Sequence, residues 1–342
     1  MIILLQPGCS EEEEHRLLAG LAAAGLRPHR VQGTRPVLVL DTEACPQLAH
    51  QLAQWPAVDR IIPLTTPFKL SSNMFRPQKT LVKVGSISIG ASEIVIIAGP
   101  CAVESAAQLT STALAVKEAG AHALRGGAFK PRTSPYSFQG LGEEGLRLLA
   151  EAGEATGLPV VTEVLDPRHV SLVSAYADVL QIGARNMQNF QLLREVGKAG
   201  KPVILKRNPA ATVEEWLMAA DYILDTGNDQ VILCERGIRT FEPSTRNTVD
   251  ISSVAVVREL SHLPVIVDPS HGAGRATLVP AIARAAIAAG ADGVLVEVHI
   301  NPPQALCDGP QSLTPIEFRR LVGELRAIAA ALGRADAITR CS

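Results

Sequence analysis

The stretch PVIVDPSH, residues 264–271, joins a short apolar run to a polar segment that begins with an aspartate. Apolar runs of this length predict a strand that is buried on both faces, as in a parallel sheet. Seven more such runs occur after residue 92, and amphipathic helical patterns lie between them. The eight runs are residues 94–98, 121–125, 159–163, 178–182, 202–206, 230–235, 264–268 and 293–298.

Strands that alternate with helices predict an α/β fold with a parallel sheet. Eight strand-helix units within roughly 250 residues match the size and count of a closed (β/α)8 TIM barrel. We therefore expect residues 93–335 to form such a barrel. A doubly wound open sheet is the architectural alternative.

The N-terminal part of the chain follows a different order. Its pattern predicts a strand at 2–6, a helix at 11–24, strands at 28–32 and 36–40, a helix at 44–54 and a strand at 58–64. Ser10 and Glu13 match a capping box at the first helix. This βαββαβ order predicts a small ferredoxin-like domain over residues 1–66, either regulatory or only a packing appendage. Residues 67–92 are predicted to be a linker that leads into the barrel.

Composition argues against several classes of partner. The 342 residues are 47% hydrophobic and 19% charged, with a formal net charge of -2, so the chain has no general attraction for nucleic acid or anionic membranes. Stacking aromatics are scarce, since the chain has two Trp and three Tyr. We therefore expect neither nucleic acid nor a membrane as a partner.

The predicted location is the cytoplasm. The apolar stretch at the N-terminus is too short for a signal peptide and runs into four glutamates. The longest apolar region, 279–298, is interrupted by Arg284, Asp292 and Glu297, which a membrane span tolerates poorly. The six cysteines lack paired spacing, so a disulfide framework has little support.

Nearly every predicted barrel strand ends in a polar or charged residue, and in this fold those ends form one rim. Six of these rim positions or their neighbours are cations: Arg125, Lys130, Arg132, Arg185, Lys206 and Arg236. Such a concentration repels itself unless it meets anions, and arginine and lysine are the usual ligands of phosphate and carboxylate. The sequence therefore predicts a polyanionic substrate. Each strand-end charge taken alone is equally consistent with a solvated surface residue.

One thiol, one imidazole and two carboxylates also follow barrel strands: Cys101, His271, Glu297 and Asp308. Mixed sulfur, nitrogen and oxygen ligands predict one divalent ion, Mn, Fe, Co, Zn or Cu, rather than Mg or Ca. The identity of the ion stays open, and His271 could instead be a loop hydrogen-bonder. We expect the nearby cations and the ion to lower the pKa of the Cys101 thiol.

Several longer strings carry a family resemblance. They are AGPCAVES (98–105), RGGAFKPRTSP (125–135), QIGARNMQ (181–188), CERGIR (234–239), DPSH (268–271) and DGPQS (308–312). Together they resemble 3-deoxy-D-arabino-heptulosonate-7-phosphate (DAHP) synthase of the type Iβ group, over about residues 94–322. The N-terminal part is similar to the ferredoxin-like domain that binds tyrosine or phenylalanine for feedback control in some members.

The resemblance implies condensation of phosphoenolpyruvate with erythrose 4-phosphate and water, the first step of the shikimate pathway. It implies the metal ligands Cys101, His271, Glu297 and Asp308. It implies phosphoenolpyruvate contacts at Arg125, Lys130, Glu163, Arg185, Lys206 and Arg236. It implies aldose phosphate contacts at Arg132, Thr133 and Ser134. It also implies a homo-oligomer, commonly a tetramer, with tyrosine or phenylalanine as effector.

The expected catalytic residues are Lys130, Cys101 and His271. We expect Lys130 to donate a proton to the new alkoxide, because desolvation among like charges lowers the pKa of its ammonium group. The alternative is that Lys130 only orients the substrate carboxylate.

Five residues at three places depart from the family pattern: Asn208-Pro209, Gly272-Ala273 and Cys307, which precedes the predicted ligand Asp308. We hypothesise that Cys307 forms a disulfide with Cys101 when the metal is lost, the alternative being an inert neighbour.

Two other functions stay open. The first is 3-deoxy-D-manno-octulosonate 8-phosphate synthase, which typically has Lys-Ala-Asn-Arg-Ser where this chain has KPRTS (130–134). The second is a non-catalytic barrel, although such a barrel would be expected to have lost some of the ligands and cations.

Overall fold

A computed structural model describes residues 1–31, 36–40 and 46–334. The N-terminal part is a four-stranded antiparallel sheet with two helices on one face. The elements are β1 (Ile2–Leu5), α1 (Glu11–Ala23), β2 (Pro28–Val31), β3 (Val37–Leu40), α2 (Pro46–Leu52) and β4 (Val58–Ile62). The strand order is β2-β3-β1-β4, which is the ferredoxin-like arrangement. Residues 32, 44 and 45 of the predicted elements lie outside the described ranges.

Side chains of β1 point alternately to the two faces of this sheet and attach it both to its helices and to the barrel. Ile3 and Leu5 face α1 and α2, and α1 contributes the buried side chain of Leu17. Ile2 and Leu4 point to the opposite face and belong to the same apolar cluster as the barrel. Because successive strand residues point to opposite faces, one strand binds the two layers together. The predicted capping box at α1 is confirmed, with Ser10 and Glu13 bonded in both directions.

A short hairpin precedes the barrel, and the sequence pattern did not predict it. Its strands are β5 (Val82–Val84) and β6 (Ile87–Ile89). Their buried side chains pack against the residues that fill the barrel interior. The N–H of Thr80 donates to the carbonyl of His262, just before a barrel strand begins (2.8 Å). The hairpin therefore seals the amino end of the barrel.

Eight parallel strands close into a barrel, so the predicted TIM barrel is confirmed and the open sheet is excluded. The strands are β7 (Val95–Gly99), β8 (Ala123–Arg125), β9 (Val160–Glu163), β10 (Val179–Ile182), β11 (Val203–Lys206), β12 (Val231–Glu235), β13 (Val265–Val267) and β14 (Gly293–Glu297). Each lies within the corresponding predicted run or extends it by one residue.

Helices surround the barrel. They are α3 (Ala106–Ala119), α4 (Glu143–Thr156), α5 (Val170–Tyr176), α6 (Phe190–Lys198), α7 (Val213–Leu224), α8 (Ile251–Leu260), α9 (Pro269–Ala273), α10 (Val279–Ala288) and α11 (Pro315–Ala331). The longest connections after barrel strands are 126–142, 236–250 and 298–314. All three lie at the carboxyl end, where loops of this length are usually functional. Within the described ranges, no helix is both long and apolar enough to span a bilayer.

The barrel closes where β14 pairs with β7, and this closure needs a glycine. Gly293 is the register partner of Val95. A Cβ at Gly293 would lie 2.1 Å from the carbonyl oxygen of Val95 and 2.9 Å from its carbonyl carbon. Both are backbone atoms, which cannot move without displacing the strand. The closure therefore depends on the absence of a side chain at residue 293.

We expect Gly293→Ala to lower the free energy of unfolding by about 1–3 kcal/mol, because it overpacks a rigid contact. Gly323→Ala is the matched control, since a Cβ there meets nothing within 4 Å on the exposed side of α11. It should raise stability by about 0.5–1 kcal/mol through helix propensity. Urea unfolding of both variants measures this, and equal shifts of their midpoints would contradict the closure argument.

Candidate active site

A cavity of about 640 Å³ opens at the carboxyl end of the barrel. Its wall includes all six cations singled out in the sequence. It also includes Glu163, Thr133 and Ser134. Parallel strands explain the convergence, because their carboxyl ends meet at one rim although the residues are far apart in the chain.

Two further cations that the sequence did not single out line the same cavity, Arg239 and Arg246. Both lie in the loop 236–250, after β12. Gln181, Asn208 and Asn247 are further polar residues of the wall. The length of the loop 236–250 was the available signal, because long loops at this end of a barrel tend to carry function.

Cys101, His271, Glu297 and Asp308 meet beside this cavity. Each offers one ligand atom, and these four atoms lie within 4.8 Å of one another. Cys101 follows β7, His271 belongs to α9, Glu297 ends β14 and Asp308 lies in the loop 298–314. One sulfur, one nitrogen and two carboxylate oxygens form a donor set that fits a divalent transition ion.

Asp268 orients His271 for this role. The Nδ1–H of His271 donates to Oδ2 of Asp268 (2.7 Å), and the backbone N–H of His271 donates to Oδ1 (2.9 Å). Nε2 of His271 therefore has a free lone pair, and this faces Oε1 of Glu297, which lies 3.3 Å away. Burial lowers the pKa of His271, which favours the neutral ring that a metal requires.

The cations of the cavity wall touch the ligand cluster directly. Nη1 of Arg125 donates to Oε1 of Glu297 (2.9 Å) and to the carbonyl of Pro100 (2.8 Å). Nζ of Lys130 donates to the carbonyl oxygen (3.0 Å) and to Sγ (3.1 Å) of Cys101. Lys206 forms an ion pair with Asp268. Buried charge of both signs is thus compensated within one hydrogen-bonded unit.

The prediction that the pKa of Lys130 is lowered is wrong. The pKa of Lys130 is raised: burial alone would lower it, but interactions with the acidic groups around it, first among them Cys101, outweigh burial. The pKa of Cys101 is also raised, first by the hydrogen bond to Cys307 and then by burial, so the cations do not lower it by themselves, and the effect of a bound ion stays a prediction. The sequence indicated the surrounding cations, but it did not show the pairing and burial that set these directions.

Cys307 contacts the ligand cluster. Sγ of Cys101 lies 3.2 Å from Sγ of Cys307, and Nη1 of Arg132 donates to the Cys307 sulfur (2.7 Å). Both cysteines are buried. The bond from Cys101 lowers the pKa of the Cys307 thiol. The pair is thus arranged as one thiol that donates to a second sulfur stabilised by a guanidinium.

The other two departures from the family pattern have structural explanations. The side-chain amide of Asn208 donates to the carbonyl of Ala184 (3.1 Å), which fixes the loop after β11 to the loop that carries Arg185. A Cβ at Gly272 would lie 2.2 Å from Cγ2 of Val249, so a larger residue there would require the side chain of Val249 to move.

A closed parallel barrel with a cation-lined cavity at its carboxyl end defines the chain as a TIM-barrel enzyme that acts on anionic substrates. More narrowly, the chain belongs to the DAHP synthetase I family, whose sequence model it matches over residues 69–331. It is 48% identical over 334 residues to a phospho-2-dehydro-3-deoxyheptonate aldolase of Thermotoga maritima, covering 97% of this chain and 99% of the relative.

Two other comparisons bear on the fold and the substrate. A crystal structure of the Thermotoga maritima DAHP synthase matches with a TM-score of 0.79 at 47% identity, covering 98% of both chains. A 2-dehydro-3-deoxyphosphooctonate aldolase of Syntrophotalea carbinolica is 35% identical, covering 72% of this chain and 95% of that relative.

We expect protein stripped of metal and exposed to air to lose two of its six thiols, as Cys101 and Cys307 form a disulfide. A movement of about 1 Å brings sulfurs at 3.2 Å to bonding distance. Thiol titration measures the loss, and peptide mapping identifies the pair. Cys307→Ser should keep its five thiols, and an unchanged count of six in the parent protein would refute the idea.

Proposed function

We propose that this chain condenses phosphoenolpyruvate with erythrose 4-phosphate and water to give DAHP and phosphate. This is the first step of the shikimate pathway, which leads to chorismate and the aromatic amino acids. One observation carries the proposal: eight cationic side chains line one cavity, and a four-residue ligand cluster lies beside it, with His271 and Asp308 in the cavity wall. Full-length similarity to a relative named for the same product supports it.

Charge balance supports two phosphorylated substrates. The eight cations of the wall face two lining carboxylates, Glu163 and Asp308. Phosphoenolpyruvate and erythrose 4-phosphate together bring about -5, from two phosphates near -2 and one carboxylate. A cavity of about 640 Å³ is also in the usual range for small ligands.

We assign the substrates to two parts of the wall. The phosphoenolpyruvate residues are Arg125, Lys130, Glu163, Arg185, Lys206 and Arg236. The aldose phosphate residues are Arg132, Thr133 and Ser134. Arg125, Lys206 and Arg236 of the first group are buried at or just after strand ends, whereas the second group lies on the loop 126–142, which also carries Lys130. This separation supports a deep site for the smaller substrate and an outer site for the aldose.

We also propose that Cys101, His271, Glu297 and Asp308 hold a divalent ion, whose element stays open. When bound, the ion would act as a Lewis acid toward the aldehyde oxygen. The chain would align the two substrates so that C3 of the enol attacks the aldehyde carbon. Water then adds at C2, and phosphate leaves from C2. Arg125 contacts the ligand Glu297, and Lys206 pairs with Asp268, which orients His271. These two cations would therefore bind phosphoenolpyruvate next to the ligand cluster.

Lys130 fits an orienting role better than a proton-donating one. Its raised pKa keeps the ammonium charged, whereas an efficient acid has a pKa near the working pH. The three protons of its Nζ include two donated to Cys101. The remaining one is available to the substrate carboxylate or to the new alkoxide. We therefore propose that Lys130 mainly binds and polarises the substrate, and that proton donation to the new alkoxide is a lesser role.

The rival activity, condensation with arabinose 5-phosphate, has some support in relatives named for the octonate product. Those relatives match 64–78% of this chain, whereas the DAHP synthase relative matches 97%, including the N-terminal sheet. The KPRTS string at 130–134 also favours the shorter aldose. A non-catalytic barrel is disfavoured because every expected ligand and cation is present in one site.

We expect phosphate release from phosphoenolpyruvate with erythrose 4-phosphate and little with arabinose 5-phosphate. A chelator should abolish it, and Cys101→Ala should lower the rate by about 100-fold or more. Cys9→Ala is the matched control, because Cys9 lies in the N-terminal part, away from the cavity. Unchanged activity in Cys101→Ala would remove the metal assignment, and release with arabinose 5-phosphate alone would favour the rival enzyme.

We further propose that residues 1–66 are a regulatory domain that binds tyrosine or phenylalanine. Support comes from the ferredoxin-like sheet and from its packing on the barrel through Ile2 and Leu4, which gives a route for coupling. Assembly into a homo-oligomer, a tetramer by family resemblance, stays a prediction.

L-tyrosine or L-phenylalanine at millimolar concentration should inhibit the intact protein. The same amino acid should slow amide hydrogen exchange within residues 1–66, because a ligand stabilises the segment it binds. L-leucine is the control ligand. Exchange that slows only in the barrel would place the effector elsewhere, and inhibition by neither aromatic amino acid would refute the proposal.

A further inference from the structure

The loop 298–314 holds one member of the ligand cluster in an uncommon backbone conformation. Asp308 has φ +52°, and among the described residues it is the only non-glycine with positive φ. Such a residue persists only where its surroundings determine it. The base of the loop is attached to the barrel, since the N–H of Val298 donates to the carbonyl of Gly99 (2.9 Å) and that of Leu313 to Glu297 (2.9 Å). These contacts lie several residues from Asp308.

Asp308 itself contacts the sulfur of Cys101 (3.5 Å) and the guanidinium of Arg246 (3.4 Å). Glu104 adds an attachment of the backbone just before Asp308. Its Oε1 accepts the backbone N–H of Leu306 (2.9 Å), two residues before Asp308. Its Oε2 lies 3.4 Å from Nε2 of His299, at the other arm of the same loop. The side chain of Glu104 is 10% exposed and that of His299 is 5% exposed, so water competes little for these bonds.

The tautomer of His299 is set by the loop itself. Nδ1 of His299 accepts the backbone N–H of Asn301 (2.9 Å), so Nε2 is the nitrogen that carries a hydrogen. That hydrogen points to a carboxylate, which can only accept. Glu104 thus holds both arms of the loop 298–314 through one carboxylate.

Glu104 is also tied to the segment that carries another ligand. It lies three residues after Cys101, and the N–H of Val103 between them donates to the carbonyl of Gly127 (3.0 Å). Ser105, the next residue, caps α3. The position of Glu104 relative to Cys101 is therefore rigid, and a shift of Leu306 relative to Glu104 would be a shift of Asp308 relative to Cys101.

We infer that Glu104 is a positioning residue for the metal site: by holding Leu306 and His299 it sets the distance between the ligands Cys101 and Asp308. The inference rests on the metal site proposed above. Glu104 does not line the substrate cavity. Its effect should therefore reach the reaction only through the geometry of the ligand cluster.

The test measures Co²⁺ affinity of protein stripped with a chelator, by competition with a chromophoric chelator. Glu104→Ala should raise the Kd for Co²⁺ by about 10-fold or more, the range found when outer partners of a metal ligand are removed. Glu104→Gln keeps an oxygen that can accept from Leu306 but loses the charge toward His299. Its Kd should lie between those of Glu104→Ala and the parent protein.

Asp178→Ala is the matched control. Oδ2 of Asp178 also accepts one backbone N–H, from Val160 (2.7 Å), but at the amino end of the barrel. This variant should keep the parent Kd. A double-mutant cycle adds the decisive comparison: if Glu104 acts through Asp308, Glu104→Ala should have no further effect on the Kd in an Asp308→Ala background.

The inference is overturned if neither Glu104 variant changes the Kd, if Asp178→Ala weakens Co²⁺ as much, or if the effects of Glu104→Ala and Asp308→Ala add. Glu104→Gln keeps the test valid should Glu104→Ala fail to fold, which circular dichroism reveals. Cys101→Ala distinguishes an error in the proposed metal site from an error in the positioning role of Glu104. If Cys101→Ala leaves Co²⁺ affinity unchanged, the proposed metal site itself is wrong. If Cys101→Ala loses Co²⁺ affinity but Glu104→Ala keeps it, only the positioning role of Glu104 is refuted.

Discussion

Two buried carboxylates, Glu297 and Asp268, are the interaction on which the site depends. Glu297 accepts from Arg125 and lies beside His271, while Asp268 accepts from His271 and pairs with Lys206. Cations brought this close together in a poorly hydrated cavity repel one another strongly. The carboxylates compensate that charge and at the same time orient the imidazole. Removal of either would leave buried cations unpaired, which is far more costly than loss of a surface ion pair.

The barrel makes this arrangement possible because its strands are rigid and parallel. Glu297 ends β14, and Arg125 ends β8, and both strands lie next to β7, which leads to Cys101. Neighbouring strand ends therefore bring an anion-binding cation, a carboxylate and a thiol together with little freedom to move. The hairpin of β5 and β6 fills the opposite end with apolar side chains, so the interior opens only toward the carboxyl side. Precision at the site is thus obtained from backbone packing rather than from flexible loops.

The loops then add what the strands cannot. Residues 298–314 bring Asp308 over the strand ends in a left-handed conformation, and the contacts of Glu104 hold that loop against the segment of Cys101. Asn208 and Gly272 depart from the family pattern, yet each has a specific contact that accounts for it. The contact of Asn208 ties the loop after β11 to the loop of Arg185, so this departure changes how the rim is supported.

The sequence by itself determined the class of fold and the residue types of the site, since the period of apolar residues reports strands and helices locally. The same periodicity located the ends of the strands, and so the polar residues at those ends, from Arg125 to Glu297. Only the tertiary structure decided which of them touch. The contact of Cys101 with Cys307, which the sequence offered only as a hypothesis, the raised pKa of Lys130 and the contact of Glu104 with Leu306 depend on distances between residues remote in the chain. Electrostatic effects vary steeply with separation and burial, and local sequence periodicity specifies neither quantity.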